Sequence, residues 1–330
     1  MTQCPVYALS ELQSLSRERQ APEGDLLVVD LRGVSISEAE AASLNVWLAR
    51  QPVPVVGRVS SVDTPLAGGV DVLVYSDEQL TRVEAAVARN PQASAVLVQT
   101  TRITEQLSVN AALVAESLAY AALQGGAEFS DWLAARSASD TTSIPGTGQP
   151  VLLDRQEDRL CITLNRPDNR NALSVELRDA LAEAFSLVNL DASIKEVQVS
   201  AAGPAFCAGG DLTEFGSCRD LSEAHRIRQL RMPAGFLAEN AERYTFLLHG
   251  ACIGAGIEIP AFAGQVVAAP GTWFRLPEVA MGLIPGAGGC VSLPRRIGRH
   301  RTNYLAITGI DLSVDKAYEW GLVDEIRDRQ

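Results

Sequence analysis

The chain has 330 residues, 47% hydrophobic and 21% charged, enough for one large or two modest globular domains. Its net charge of −12 argues against a nucleic-acid partner. No apolar run approaches the roughly 18 residues of a membrane span, and the N-terminus lacks the basic-then-apolar pattern of a signal peptide, so the expected setting is the cytoplasm.

In chain order, "LLVVDLRG" (26–33) reads as a strand, followed by a helix around Ala39–Arg50 and a second strand in "PVPVVGRVSS" (52–61). The sequence then turns helical, with amphipathic stretches "DEQLTRVEAAVARN", "LSVNAALVAESLAYAALQ" and "AEFSDWLAAR". Leu113, Leu118, Ala121 and Trp132 are the expected core residues there. "SASDTTSIPGTGQP" (137–150) has almost nothing to bury and reads as a linker. It divides the chain into an N-terminal α/β domain, 1–136, and a second domain, 151–330.

The second domain alternates strand and helix. "RLCITLN" is a half-buried strand; Ser174 is placed to cap a helix whose Leu177, Leu181, Ala184, Phe185 and Val188 share one face. Further strands are expected at "VQVSA" (197–201), "YTFLLHG" (244–250) and "VVAA" (266–269). That rhythm predicts an α/β fold with parallel pairing and right-handed crossovers.

Two Gly-rich turns follow strands: Ala208-Gly209-Gly210 and Gly254-Ala255-Gly256. Small residues let a ligand approach the main chain, and N–H groups at a helix start point outward with partial positive charge. Two such turns at neighbouring strand ends can aim one N–H each at a single oxygen, each donor worth roughly 3 kcal/mol to a transition state. Glu258 lies in the apolar "GIEIPAFAG" and Glu278 in "RLPEVAMG". Burial would raise such acids toward useful acid–base values. Each also has a plain structural reading: Glu278 as a first-turn acid after Pro277, Glu258 as half of an ion pair. The six cysteines (Cys4, Cys161, Cys207, Cys218, Cys252, Cys290) show no CxxC or metal spacing; they read as reduced thiols, and no metal is expected.

From Arg159 to Ile326 the sequence resembles the crotonase (enoyl-CoA hydratase/isomerase) superfamily. The likeness rests on "LNRPDNRNALS", "AFCAGGDLTEF", "GACIGAGIEI", "FRLPEVAMGLIPGAGGCVSLPRRIG" and "ITGIDLSVDKAYEWGLVDEI", in that order. It implies a ββα spiral core, an acyl-CoA thioester as partner and substrate, no cofactor beyond the coenzyme A of that substrate, and a homo-oligomer, trimer or hexamer. By the same resemblance the N–H groups of Gly210 and Ala255 would hold the thioester oxygen. Ala208, Gly209, Asp211 and Gly254 would line the coenzyme and acyl path, with main chain near Ala208 at the adenine end. Glu258 and Glu278 would be the paired catalytic acids, which favours hydration of a 2-enoyl-CoA over isomerisation or thioester hydrolysis.

Some features depart from the family pattern or lie outside it. Ala255 stands where many hydratases have Gly, and Pro260 fits only if a helix starts near Gly256 or Ile257. Residues 1–136 resemble, in their helical order, the covering tail that usually follows the "GLV" motif; they are expected to be a degenerate partial copy of the same fold, the alternative being an unrelated partner domain. The basic run "PRRIGRHR" (294–301) would be a solvated helix face or a phosphate contact. There are only two lysines, Lys195 and Lys316, so Arg or main chain must do most anion binding. An oxidoreductase is disfavoured because no complete GxGxxG occurs in a strand–turn–helix setting, and GxSxG is absent too. A non-catalytic acyl-CoA-binding subunit is the remaining alternative.

Overall fold

A computed structural model describes residues 5–18, 24–136 and 146–329. Most of the expected linker, 137–145, lies outside the described residues. Strand β1 (Val6–Tyr7), helix α1 (Leu9–Glu18), β2 (Leu27–Asp30), α2 (Glu38–Ala49), β3 (Val55–Arg58) and β4 (Val72–Val74) open the chain. The four strands are parallel in the order β1-β2-β3-β4. Leu27, Val29 and Leu73 pack with Leu12, Leu44 and Leu48 of α1 and α2. Val28, Val56 and Val72 face the other way, into the main core. Burial on both faces explains why these strands read as unbroken apolar runs.

Four helices follow: α3 (Asp77–Arg89), α4 (Pro91–Thr104), α5 (Val109–Gln124) and α6 (Ala127–Ala134). Ser76 and Ser108 cap α3 and α5. Helix α4 escaped apolar pattern reading because its buried face includes Ser94, Thr100, Thr101 and Thr104. Their hydroxyls are satisfied; Thr101 donates to Asn303 and Thr104 to the Cys290 carbonyl. The burial of α5 also differs from expectation. Leu118 is 54% exposed, while Ala112, Glu116, Ser117 and Leu123 are buried. The helix is apolar nearly all round, so composition left its inward face undetermined, and polar partners fixed it.

The second part runs β5 (Val151–Gln156), β6 (Arg159–Leu164), α7 (Val175–Leu190), β7 (Glu196–Ala201), α8 (Leu221–Arg231), α9 (Pro233–Ala238), β8 (Tyr244–Leu248) and β9 (Ala251–Ile253). It continues with α10 (Ala255–Glu258), β10 (Gln265–Ala268), β11 (Trp273–Arg275), α11 (Gly289–Ile297), α12 (Arg299–Thr308), β12 (Leu312–Ser313), α13 (Val314–Trp320) and β13 (Glu325–Ile326). One sheet has the order β13-β10-β8-β7-β6-β5, parallel except for the β5–β6 hairpin; a smaller one has the order β12-β11-β9. Ser174 caps α7, which buries Leu177, Leu181, Ala184, Phe185 and Val188 as its periodicity predicts.

Most of the basic run is engaged with partners inside the protein, although Arg295 and Arg301 remain exposed. Arg295 donates to the carbonyls of Thr104 and Leu107, and Arg296 pairs with Asp324. Arg299 reaches the carbonyls of Gly68 and Val70 and the carboxylates of Asp71 and Glu105. His300 contacts the carbonyls of Ala67 and Val70. Arg295, Arg299 and His300 thus tie α11 and α12 to the N-terminal part, whereas Arg296 braces the second part internally.

Candidate active site

The two Gly-rich turns are neighbours because Cys207 and Cys252 form a parallel bridge, and the Ile253 N–H donates to the Cys207 carbonyl at 3.0 Å. Gly210 and Ala255 each lie three residues beyond that bridge. Among the described residues neither N–H has an acceptor. Both residues line one cavity of about 470 Å³, together with Asp211, Glu258 and Glu278.

The fold gives the glycines their own reasons. Gly209 has φ of 95°, in the left-handed region that favours glycine, and a Cβ on Gly210 would come 2.9 Å from the Phe215 ring. Gly254 caps α10 at φ 50° and ψ −119°. A Cβ there would overlap Glu278 Oε1 and lie 3.5 Å from Glu258 Oε1. The two carboxylates therefore converge over Gly254. Ala208 is set back from the cavity lining, its N–H given to the Arg170 carbonyl. Asp211 lines the cavity, but its carboxylate is engaged, accepting from the Thr213 N–H and from Asn169 Nδ2, both at 3.0 Å.

Glu258 is buried, and its Oε2 accepts from the N–H groups of Ala287 at 2.7 Å and Gly289 at 3.0 Å. Pro260 does not disturb it. Helix α10 ends at Glu258, and Pro260 opens a separate 3₁₀ turn, Pro260–Phe262, where a missing N–H costs no helical bond. Glu278 opens the 3₁₀ turn Glu278–Met281, and its Oε2 is buried with no hydrogen-bond partner among the described residues. Burial raises Glu258 to about 7 despite the two N–H donors. Burial, then the Glu258 charge, pushes Glu278 well above the usual carboxylate range.

Four further residues at this site come from outside the family motifs. Glu116 of α5 is buried and accepts from the N–H groups of Gly288 and Cys290, both at 2.8 Å. Tyr120 and Gln124, one and two turns on, line the cavity. Arg228 of α8 lines it too, its guanidinium 4.7 Å from the Tyr120 ring centroid. A single acid in the apolar "AALVAESLAYAAL" was the sequence signal for Glu116.

Residues 160–330 match the family profile described as enoyl-CoA hydratase/isomerase. The chain belongs to this family, within the crotonase superfamily. Among curated relatives of this hydratase/isomerase family member, a mevalonyl-coenzyme A hydratase of Beauveria bassiana is 31% identical over 175 residues, 51% of this chain and 62% of that protein. A 1,2-epoxyphenylacetyl-CoA isomerase of Escherichia coli is 33% identical over 184 residues, 54% of this chain and 70% of its own. A crystal structure of enoyl-CoA hydratase from Mycobacterium smegmatis superposes with a TM-score of 0.51 and 32% identity, over 55% of this chain and 71% of that one. The chain thus spans less than two thirds of the first of these relatives.

Proposed function

We propose that the protein hydrates a 2-enoyl-CoA thioester, with coenzyme A entering only as part of the substrate. The observation that carries this is the convergence of Glu258 and Glu278 over Gly254, beside two N–H groups free of acceptors among the described residues. The thioester oxygen would be held by Gly210 N–H and Ala255 N–H. As water adds to the β-carbon, negative charge grows on that oxygen, and the two donors stabilise the resulting enolate more than the neutral ester. Glu258, fixed by Ala287 and Gly289, would act as the base that takes the water proton. Glu278, held protonated by burial, would supply the proton to the α-carbon. The isomerase among the relatives marks the competing reaction; retention of two acids facing one point favours hydration. We also propose that helices α3–α6 act as the cover of the acyl site, since Tyr120 and Gln124 on α5 already line it.

The test is loss of the enoyl-thioester absorbance of crotonyl-CoA. Wild type should turn it over, and Glu258→Gln and Glu278→Gln should each lower kcat by about 10²–10⁴-fold. Variants that match wild type would sink the paired-acid reading.

A further inference from the structure

Two arginines line the active cavity, Arg178 and Arg228. Arg178 is paired with Asp179 at 2.7 Å. Arg228 has no carboxylate within ion-pair distance among the described residues. Neutral groups hold it instead: Nε donates to Ser117 Oγ at 3.1 Å, Nη1 to Gln124 Oε1 at 3.0 Å and Nη2 to the Ser117 carbonyl at 3.3 Å. Three of its five N–H groups are so engaged, and the Tyr120 ring supports one face. A half-buried guanidinium without a counter-charge is unfavourable, yet this one is held in place by four contacts from α5.

Behind it lies a second chamber of about 290 Å³, between α5, α8 and α9, which shares Arg228, Met232 and Gly286 with the active cavity. Gly286 adjoins Ala287, whose N–H holds Glu258, so the junction is on the acid side of the site. Two acids touch the chamber. Glu116 is turned onto the N–H groups of Gly288 and Cys290, and Glu239 is exposed and accepts from Asn189. Resting on the acyl-CoA reading above, we infer that the second chamber receives the far end of the acyl chain and that Arg228 recognises a carboxylate there. The substrate class is a 2-enoyl-CoA whose chain ends in a carboxylate, met by the planar fork of the guanidinium.

Binding tests this without requiring turnover. By calorimetry, a saturated acyl-CoA ending in a carboxylate should bind wild type at least tenfold more tightly than its methyl-ended counterpart of equal length, about 1.4 kcal/mol. Arg228→Met should abolish that preference, and Arg228→Lys should keep part of it. Equal binding of the two ligands by wild type, or a preference undiminished in Arg228→Met, overturns the inference. Should the preference hold while no enoyl-CoA is hydrated, the chamber is confirmed and the hydratase reading falls.

Discussion

Glu258 and Glu278 face the same point but differ in what holds them. Two main-chain N–H groups favour the ionised form of Glu258, whereas Glu278 Oε2 is buried without a donor among the described residues and also feels its neighbour's charge. Hydration needs the first ionised and the second protonated, so kcat/KM should rise with pH through about 7 and fall again at higher pH, as the pair loses its second proton. A rate profile flat across that range would contradict the assignment. The donor at 255 can be removed by proline, whose ring carbon takes the place of the amide hydrogen. Ala255 is the first residue of α10, where proline is well tolerated, and Gly254 before it is in the mirror image of the extended conformation that proline demands of its predecessor. Ala255→Pro should lower kcat by about 10²–10³-fold with the urea midpoint nearly unchanged.

At the scale of elements, the N-terminus of α11 is held by two carboxylates that alternate along it. Glu258 takes the N–H groups of 287 and 289, and Glu116 takes those of 288 and 290. Residues far apart in the chain thus fix one turn, and the turn in turn aims Glu258. Glu116→Ala strands two buried donors at about 1–3 kcal/mol each, so urea denaturation should show a loss of roughly 2–6 kcal/mol. Glu116 also carries a pH signature. Burial, then the Glu258 charge, raises it in the folded state, so the fold keeps a proton that the unfolded chain releases above about pH 4.3. Its contribution is full below that value and is lost as pH rises toward the folded value, with a slope of up to ~1.4 kcal/mol per pH unit. The stability difference between wild type and Glu116→Gln should decline over that window; a constant difference would show that Glu116 does not titrate with folding.

For the whole molecule, residues 1–136 and the second part share one core. Val28, Val72, Leu97 and Val98 belong to the same cluster as Phe246, Leu293 and Tyr304. Asp71, wholly buried, is the polar knot between them; it accepts from Arg102 of α4, from Arg299 of α12 and from the Val55 N–H. A fragment of residues 151–330 would expose the faces of α11 and α12 that α3 and α4 cover, and would leave Arg299 without Asp71. Size-exclusion chromatography of that fragment should show aggregate or misassembled species. A monodisperse, fully active fragment would mean that the N-terminal part is dispensable for both fold and site.

The sequence by itself determined the strands and turns that carry the candidate site and the helix capped by Ser174, and its family resemblance singled out Glu258 and Glu278 as a pair. Those features depend on local chemistry: bare backbone, an acid in an apolar run, a capping hydroxyl, apolar spacing at helical period. Tertiary structure decided the rest. The inward face of α5, the polar contacts of Thr101 and Thr104 on α4, the engagement of Arg295 and Arg299 and the neutral cradle of Arg228 all turn on partners more than a hundred residues away. A polar side chain is stable inside a fold only where such a partner meets it, and no local pattern records that meeting.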